Sequence, residues 1–421
     1  MSQTEKAETH QSGREIEVEG HLIDSMILTR IWDRIIELGG DFETIEFRVG
    51  KHKTDTSYAR ILVKGKTPQH LESILKEIYH LGAVPYHTPE VTVATAPADM
   101  VFPDNFYSTT NNPTQIYYEG EWINVENIMM DKVIVIDPAA KKAVCKAIRE
   151  IKKGDLIVIG EEGIRVKPPE RPRESTGIFK FMSSGASSEK PATAIIRQIA
   201  RDVYNIKKSG GKIAVVAGPA VVHTGAALAL ATLIREGYVD TLLSGNALAV
   251  HDVEAALLKT SLGVSLQEGT TAVGGCRHHL VAINTIYKVG NLKKAVEKGI
   301  LKSGIIYECV KKGIPFVLAG SIRDDGPLPD VITDTVVAQQ KYKEQLKDVE
   351  MVIMLASTLH AIAVGNMLPS TVKLACIDIN LAAVTKLLDR GSTQAIGVIT
   401  DVGTFLPLLA EEIKRLKEQA N

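Results

Sequence analysis

Small and polar residues follow several apolar runs in the second half of the chain, and their types suit the binding of one extended ligand. The runs at residues 241–243 and 316–318 are followed by SGNA and by GSIRDDG, and the run at 351–355 by ASTLH. Because the carboxyl ends of parallel strands meet at one edge of a sheet, ligands of open α/β sheets bind there. The sequence therefore predicts a binding site among Asn246, Ala247, Asp324, Asp325, Ser357, Thr358, Leu359 and His360.

Two further runs, KLACI and AIGVIT, lead into Asp378 and into Asp401 and Val402. A carboxylate at a strand end can accept both hydroxyl hydrogens of an adenosine ribose and repels a 2′-phosphate, which favours NAD over NADP. Helix capping is the alternative for Asp378. Ser357 and Thr358 lie where a helix should begin, so backbone N–H groups there can bind a pyrophosphate, although simple capping gives the same pattern. The fingerprint GxGxxG is absent after the first strand, which is followed by AGPAVVHTG.

The run GGCRHH at residues 274–279 places titratable side chains next to flexible glycines. Arg277 can hold a substrate carboxylate through two parallel hydrogen bonds, and a charged surface turn is the alternative. Adjacent Asp324 and Asp325 can supply a general base and an anchor for an ammonium group, or form a solvated turn. His278 and His279 point in different directions in either secondary structure, and the four cysteines are far apart, so no metal site is expected.

The composition excludes several classes of partner. The 49 Lys and Arg residues nearly balance 50 Asp and Glu, and no basic stripe interleaved with aromatics occurs, so we expect no nucleic acid. The polar start of the chain lacks the apolar core of a secretory signal, and no run of about 18 apolar residues is present. We therefore expect a cytoplasmic protein that does not enter membranes and that acts on a small molecule.

The elements that position these residues are expected to form an α/β protein with three domains. The last part of the chain repeats apolar strand, turn and long helix, which predicts a Rossmann-like parallel sheet with helices on both faces. Before it, a β-α-β-β-α order and then short runs broken by Asn, Gly and Pro predict two smaller domains. The predicted segments are a disordered tail (1–15), a split-βαβ α+β domain (16–97), a β-rich domain (98–172), a linker (173–190) and the Rossmann-like domain (191–421).

Four longer motifs resemble those of a known family. They are SGNALAVHD at 244–252, GSIRDDGPLPD at 320–330, LASTLHAIAVGNMLP at 355–369 and TDVGTFLPLL at 400–409. With VFPDNFYSTTNNPTQIY at 101–117, they resemble the archaeal-type ornithine cyclodeaminases, labelled as the lysine-oxoglutarate reductase/saccharopine dehydrogenase conserved-region family, over nearly the whole chain. The same family resembles the second half of bifunctional arginine dihydrolase/ornithine cyclodeaminases. The last motif is also similar to the NAD-contacting segment of deoxyhypusine synthase, which suggests a shared sheet topology.

The resemblance implies a cofactor, a reaction and site residues. The reaction is conversion of L-ornithine to L-proline and ammonia through NAD-mediated oxidation at Cα, attack by the δ-amine and re-reduction. Arg277 or Arg323 would bind the substrate carboxylate, and the general base stays open between Asp324 and a residue of the second domain. The implied NAD contacts are Asn246, Ala247, Asp325, Ser357, Thr358, Leu359, His360, Asp378, Asp401 and Val402.

Two other functions stay open at this point. A dehydrogenase for saccharopine or a related lysine derivative would release NADH stoichiometrically, whereas a non-catalytic sensor would bind NAD and an amino acid without turnover. A small sheet module next to an α/β domain often provides subunit contacts, so we expect a homodimer or a homotetramer.

Overall fold

The computed structural model of the chain describes residues 12–22, 26–50, 55–86, 89–167, 192–272, 275–324, 326–390 and 395–420. The chain divides into two compact units, Met1–Gly177 with Pro369–Thr371 and Ile178–Leu368 with Val372–Asn421. The predicted linker at 173–190 lies outside the described residues, as does Asp325. In the ranges given above, no helix is both long enough and apolar enough to cross a membrane.

The first elements form an antiparallel sheet with two helices packed on it. Every second residue of the third strand, from Ser57 to Gly65, is buried, and the first helix buries Ile27, Ile31 and Ile35 on one face. These side chains share one hydrophobic core. The elements are β1 (Ser12–Gly20), α1 (Ile27–Glu37), β2 (Asp41–Arg48), β3 (Ser57–Gly65), α2 (Pro68–Tyr79) and β4 (Val84–Pro85), with strand order β2-β3-β1-β4.

The predicted β-α-β-β-α order is confirmed, although two elements begin earlier than the apolar spacing indicates. That spacing predicts the second helix over 71–81, yet α2 begins at Pro68. The reason is that the Thr67 hydroxyl accepts a hydrogen bond from the His70 N–H (3.1 Å) and proline suits the first helical position. Strand β1 begins at Ser12, inside the predicted tail, because it pairs with β3 along its whole length.

A seven-stranded mixed sheet completes the first unit and confirms the predicted β-rich character. Neighbouring strands are antiparallel except for one parallel pair, β7 with β9. Strand β5 precedes residue 97, yet it pairs with β10 in this second sheet. The strands are β5 (Thr92–Thr95), β6 (Thr114–Tyr118), β7 (Glu121–Glu126), β8 (Val133–Asp137), β9 (Lys142–Lys146), β10 (Leu156–Ile159) and β11 (Ile164–Val166), in the order β11-β6-β7-β9-β8-β10-β5.

The second unit is built on a seven-stranded parallel sheet. Its strands are β12 (Lys212–Ala217), β13 (Thr241–Gly245), β16 (Phe316–Ala319), β17 (Val331–Ile332), β18 (Val349–Leu355), β19 (Lys373–Asp378) and β20 (Ala395–Ile399), and a hairpin of β14 (Thr260–Ser261) and β15 (Val264–Ser265) lies outside the sheet. The helices are α3 (Ala192–Lys208), α4 (Ala220–His223), α5 (Ala227–Arg235), α6 (Asn246–Leu258), α7 (His278–Val289), α8 (Leu292–Glu297), α9 (Ile305–Lys312), α10 (Thr335–Gln345), α11 (Thr358–Gly365), α12 (Leu381–Arg390) and α13 (Val402–Ala420).

Helices cover both faces of this sheet, as the continuous apolar runs predict. Along β12, Ile213 and Val215 belong to one hydrophobic core, and Ala214 and Val216 belong to another. Side chains of a strand alternate between faces, so both faces are buried. The strand order is β17-β16-β13-β12-β18-β19-β20. After β12, the chain adds β13, β16 and β17 on one side of that strand and then β18, β19 and β20 on the other side. The order reverses between β12 and β18, which is where α/β sheets bind ligands.

Candidate functional site

A cavity of about 670 Å³ opens at this reversal point. Its volume is in the range of small-molecule and cofactor sites. The residues that line it follow four strands, β12, β13, β16 and β18, or belong to α6, α7 and the β14–β15 hairpin. They include Gly218, Pro219, His223, Gly245, Asn246, Ala247, Leu248, Val250, His251, Leu262, His279, Ile283, Ser321, Arg323, Asp324, Ser357, Thr358, Leu359 and His360.

The two walls of the cavity approach so closely that only glycine fits at residue 218. The Gly218 N–H donates to the Leu355 carbonyl at 2.8 Å, and a Cβ at this position would collide with the carbonyl oxygen of Ala356. Ala356 itself has a φ of 46°, a left-handed conformation that costs a non-glycine residue about 1–2 kcal/mol. Its N–H donates to the Ile377 carbonyl (2.9 Å), so both neighbouring strands hold this turn.

Helices α6 and α11 begin at the cavity. Their N-cap residues are Gly245 and Ser357, and among the described residues no side chain caps either first turn. The first N–H groups of a helix lack intrahelical partners and carry the positive end of the helix dipole, so they bind anions such as phosphate. The Asn246 side-chain oxygen accepts a hydrogen bond from Leu328 N (3.0 Å), which ties the loop after β16 to the start of α6.

His360 is held in one orientation. The Tyr342 hydroxyl donates to the Ser244 carbonyl (2.6 Å), so at its 3.3 Å contact with Nδ1 of His360 it acts as the acceptor. Nδ1 of His360 therefore carries the hydrogen, and Nε2, which lies against Gly245, is unprotonated. Burial lowers the pKa of His360 below its ordinary value, although the Asp324 carboxylate acts in the opposite direction.

A second group of titratable residues lies in and behind the cavity wall. His251 Nδ1 contacts the buried Glu254 carboxylate at 2.9 Å, and the His223 ring packs edge-on against the His251 ring with centroids 4.7 Å apart. Burial lowers the pKa of His223 to about 4, and the neighbouring His251 ring acts in the same direction. Sequence reasoning missed this group. The available signal was the spacing of His251 and Glu254, three residues apart in an apolar helix and so on one face.

Of the residues predicted for substrate binding, the structure brings Asp324 and Arg323 to the cavity and leaves Arg277 outside its lining. Arg277 ends a 3₁₀ turn (Gly275–Arg277) and its side chain is exposed, which corresponds to the charged surface turn of the alternative interpretation. Asp324 accepts hydrogen bonds from Ser321 N (2.8 Å) and Ser321 Oγ (3.3 Å). In the part of the chain that the structure describes, no cluster of three or more His, Cys, Asp or Glu residues is arranged to hold a metal ion.

The remaining predicted cofactor residues lie at the ends of β19 and β20, outside the cavity lining. Asp378 is nearly buried and accepts a hydrogen bond from Asn380 N (2.8 Å), and Asn380 in turn accepts one from Ala382 N (2.9 Å) in the first turn of α12. Asp378 therefore stabilises the turn, and Asn380 caps the helix. Asp401 precedes α13, and the Val402 side chain belongs to the core, which leaves only its backbone to face a ligand.

A doubly covered parallel sheet, a cavity at its reversal point and two helices that begin there without side-chain caps define an α/β protein of the Rossmann type. Three family descriptions match the chain: LOR/SDH bifunctional enzyme conserved region (residues 13–112), arginine dihydrolase ArgZ-like C-terminal first region (113–196) and arginine dihydrolase ArgZ-like C-terminal Rossmann fold (197–409). The chain belongs to this family of ornithine cyclodeaminases and ArgZ-like C-terminal regions, which confirms the resemblance.

Individual relatives agree with this assignment. An ornithine cyclodeaminase of Archaeoglobus fulgidus is 59% identical over 404 residues, which cover 96% of this chain and 98% of the relative. A crystal structure of a LOR/SDH protein from Methanococcus maripaludis is 53% identical with a TM-score of 0.75, covering 78% of this chain and 99% of that one. The bifunctional arginine dihydrolase/ornithine cyclodeaminase AgrE of Nostoc, solved in a ternary complex with ornithine and NAD⁺, is 43% identical with a TM-score of 0.54, covering 98% of this chain and 59% of AgrE.

Proposed function

We propose that this chain is an NAD-dependent ornithine cyclodeaminase that converts L-ornithine to L-proline and ammonia. The observation that carries the proposal is the cavity at the reversal point of the sheet, which combines two uncapped helix starts with a carboxylate and a guanidinium. It is supported by the name of the Archaeoglobus relative and by the ornithine and NAD⁺ bound to AgrE.

The residues around the cavity fit a dinucleotide. The first turns of α6 and α11 offer N–H groups for a pyrophosphate, and the absence of a side chain at Gly218 lets the turns after β12 and β18 approach each other beside the start of α11. When bound, NAD accepts a hydride from the substrate carbon and later returns it, so it is not consumed. We assign its contacts to Asn246, Ala247, Ser357, Thr358, Leu359 and His360 at the cavity, to Asp378, Asp401 and the backbone of Val402 at the neighbouring strand ends, and, from the sequence motif alone, to Asp325.

The substrate side of the cavity suits an amino acid. Arg323 and Asp324 bring a guanidinium and a carboxylate into the same lining, which matches the carboxylate and the ammonium groups of ornithine. The hydrogen bonds from Ser321 hold the Asp324 carboxylate in place before substrate arrives. We assign carboxylate binding to Arg323, and an ammonium anchor to Asp324.

Apolar side chains form part of the cavity lining. Leu248, Val250 and Ile283 line it, so a bound ornithine would have apolar surface beside its methylene groups. Confinement of a flexible diamine favours attack of its own δ-amine over attack by water, because an intramolecular reaction avoids the entropy cost of bringing two molecules together. Ring closure with loss of ammonia is therefore the reaction that we propose.

The experiment that tests the proposal supplies L-ornithine to the purified protein with NAD far below the substrate concentration. Proline and ammonium are followed by mass spectrometry, and NADH is followed by absorbance. We expect proline and ammonium in equal amounts, well in excess of NAD, with no accumulation of NADH. NADH that rises with saccharopine instead would support a dehydrogenase, and binding of NAD and ornithine without turnover would support a sensor.

Two arginine variants distinguish the candidate carboxylate ligands. Loss of a charge-assisted hydrogen bond costs about 1.5–3 kcal/mol, so Arg323→Ala should raise KM for ornithine about 10- to 100-fold. Arg277→Ala is the matched control, because Arg277 is exposed and lies outside the cavity lining. A KM that rises in Arg277→Ala and not in Arg323→Ala would return the role to Arg277.

A further inference from the structure

A buried carboxylate behind the cavity wall organises several hydrogen bonds. Glu254 has no exposed surface and accepts from four donors: His251 Nδ1 (2.9 Å), Thr260 Oγ1 (2.9 Å), Gly263 N (2.9 Å) and Leu262 N (3.2 Å). Burial acts to raise the pKa of Glu254, but hydrogen bonds, first that from His251, outweigh it and leave the pKa below its ordinary value. The carboxylate is therefore ionised and acts only as an acceptor.

The direction of each hydrogen bond follows from that ionised carboxylate. His251 must donate through Nδ1–H, so its other ring nitrogen, Nε2, carries the lone pair when the ring is neutral. The single proton of the Thr260 hydroxyl is used toward Glu254, so at the 2.8 Å contact with His278 the hydroxyl oxygen accepts and His278 Nδ1 donates. A continuous chain of donors therefore runs from His278, in the GGCRHH motif, to Glu254.

His251 differs from His223 and His360, which also line the cavity. The His223 ring contacts Ser261 through Nδ1 (2.7 Å), and the His360 ring contacts Tyr342, both of which are neutral partners. Only a carboxylate partner stabilises the imidazolium that forms when a histidine takes up a proton. The Asp324 carboxylate acts to raise the pKa of His360, but burial outweighs it and leaves that pKa below its ordinary value, and the Asp324 oxygens accept hydrogen bonds from Ser321. Glu254 on its own helix and the His223 ring on α4 contact His251, and His279 on α7 and Asp324 after β16 line the same cavity.

Resting on the proposed function, we infer that His251 is the general base of the site and that Glu254 is its positioning residue. Nε2 of His251 takes a proton from the α-ammonium group, and the electron pair of the broken N–H bond stays on nitrogen. That pair would form the carbon–nitrogen double bond of an iminium as the hydride passes from Cα to the NAD of the proposed function. The δ-ammonium loses a proton to solvent before its nitrogen attacks, and the ring nitrogen loses a second one to solvent as the α-nitrogen, protonated by Nε2, departs as ammonia. His251 therefore ends neutral and is ready for another turnover.

The test compares His251→Gln and Glu254→Gln with the whole wild-type protein. We expect kcat/KM for ornithine to fall about 10²- to 10⁴-fold in His251→Gln, the usual contribution of a general base, while the Kd for NAD stays within about threefold. In Glu254→Gln the acid limb of the kcat/KM profile should move to lower pH, because an imidazolium beside a neutral amide releases its proton more readily. Nitrogen-15 NMR of the histidine rings should show an Nδ1-protonated His251 in wild type and loss of that preference in Glu254→Gln.

Glu308→Gln is the matched control for a purely structural effect. Glu308 is also buried and is held by Arg235 (3.0 and 2.8 Å), away from the cavity lining, so its variant should lose stability with an unchanged pH profile. A wild-type protein that makes proline while His251→Gln keeps kcat/KM within threefold would overturn the inference and leave the proposed function standing. A folded wild-type protein that binds NAD and makes no proline would overturn both.

Discussion

The backbone contact between Gly218 and Ala356 predicts that one added methyl group at residue 218 lowers both the stability of the protein and its affinity for NAD. In Gly218→Ala the new Cβ would overlap the Ala356 carbonyl oxygen, so the turn after β12 or the turn after β18 must shift. Such overpacking typically costs about 1–3 kcal/mol. Ala356 is already in a left-handed conformation and donates to Ile377, so its turn has little freedom to yield. We therefore expect Gly218→Ala to unfold at a lower urea concentration than the wild-type protein.

The same shift should weaken NAD binding, because it moves the first turn of α11. A loss of about 1.4 kcal/mol, which lies within the range given above, corresponds to a tenfold change in affinity. We therefore expect Gly218→Ala to bind NAD with a Kd at least tenfold higher, measured by titration of intrinsic fluorescence. Gly365→Ala, in the same helix, is the control. Its nearest neighbour is Leu387 Cδ2 at 3.4 Å, so it should be neutral or gain up to about 1 kcal/mol. A Gly218→Ala protein with wild-type urea midpoint and wild-type Kd would refute this account of the cavity.

Three other side chains give separate predictions. Burial raises the pKa of Asp252 to about 6. The protonated carboxyl therefore contributes fully to stability below about pH 4, and this contribution is lost as the pH rises through 6. In Asp252→Asn the urea midpoint should no longer fall between pH 4 and pH 7 for this reason. Tyr342→Phe should cost about 1–3 kcal/mol in urea unfolding, because the buried Ser244 carbonyl loses its donor and His360 loses its acceptor. Asn246→Ala leaves Leu328 N without its acceptor, so proteolysis of the loop after β16 should become faster while α6 keeps its fold.

Much of the fold follows from local patterns in the sequence. The apolar runs of β12 and β18 are continuous, and that pattern alone indicates a sheet covered on both faces. The strand order could not be predicted in this way, because it depends on contacts between distant segments. The spacing of apolar residues also did not locate the start of α2. That spacing begins at Leu71, whereas the Thr67 hydroxyl caps the helix and lets it begin at Pro68.

The candidate site also contains residues that the sequence predicts and residues that it does not. Residues directly after a strand, such as Asn246 and Ser357, could be predicted because a parallel sheet places every strand end at one edge. His251 owes its orientation to Glu254, whose other donors come from the β14–β15 hairpin, and no local pattern joins these elements. The role of Arg277 stays a prediction: its residue type in a glycine-rich run suits a carboxylate ligand, but its exposed side chain lies outside the cavity lining, which no local pattern in the sequence shows.

The position of β12 at the centre of its sheet has a consequence for protein synthesis. On the ribosome β12, β13 and β16 emerge first and can form only one wall of the cavity, since Ala356 and the start of α11 follow much later in the chain. Until then the exposed edge of β12, a strand buried on both faces in the finished fold, is an unpaired apolar template for other chains. We therefore expect the nascent protein to pass through an aggregation-prone stage that ends when β18 pairs with β12, and that same pairing completes the cavity.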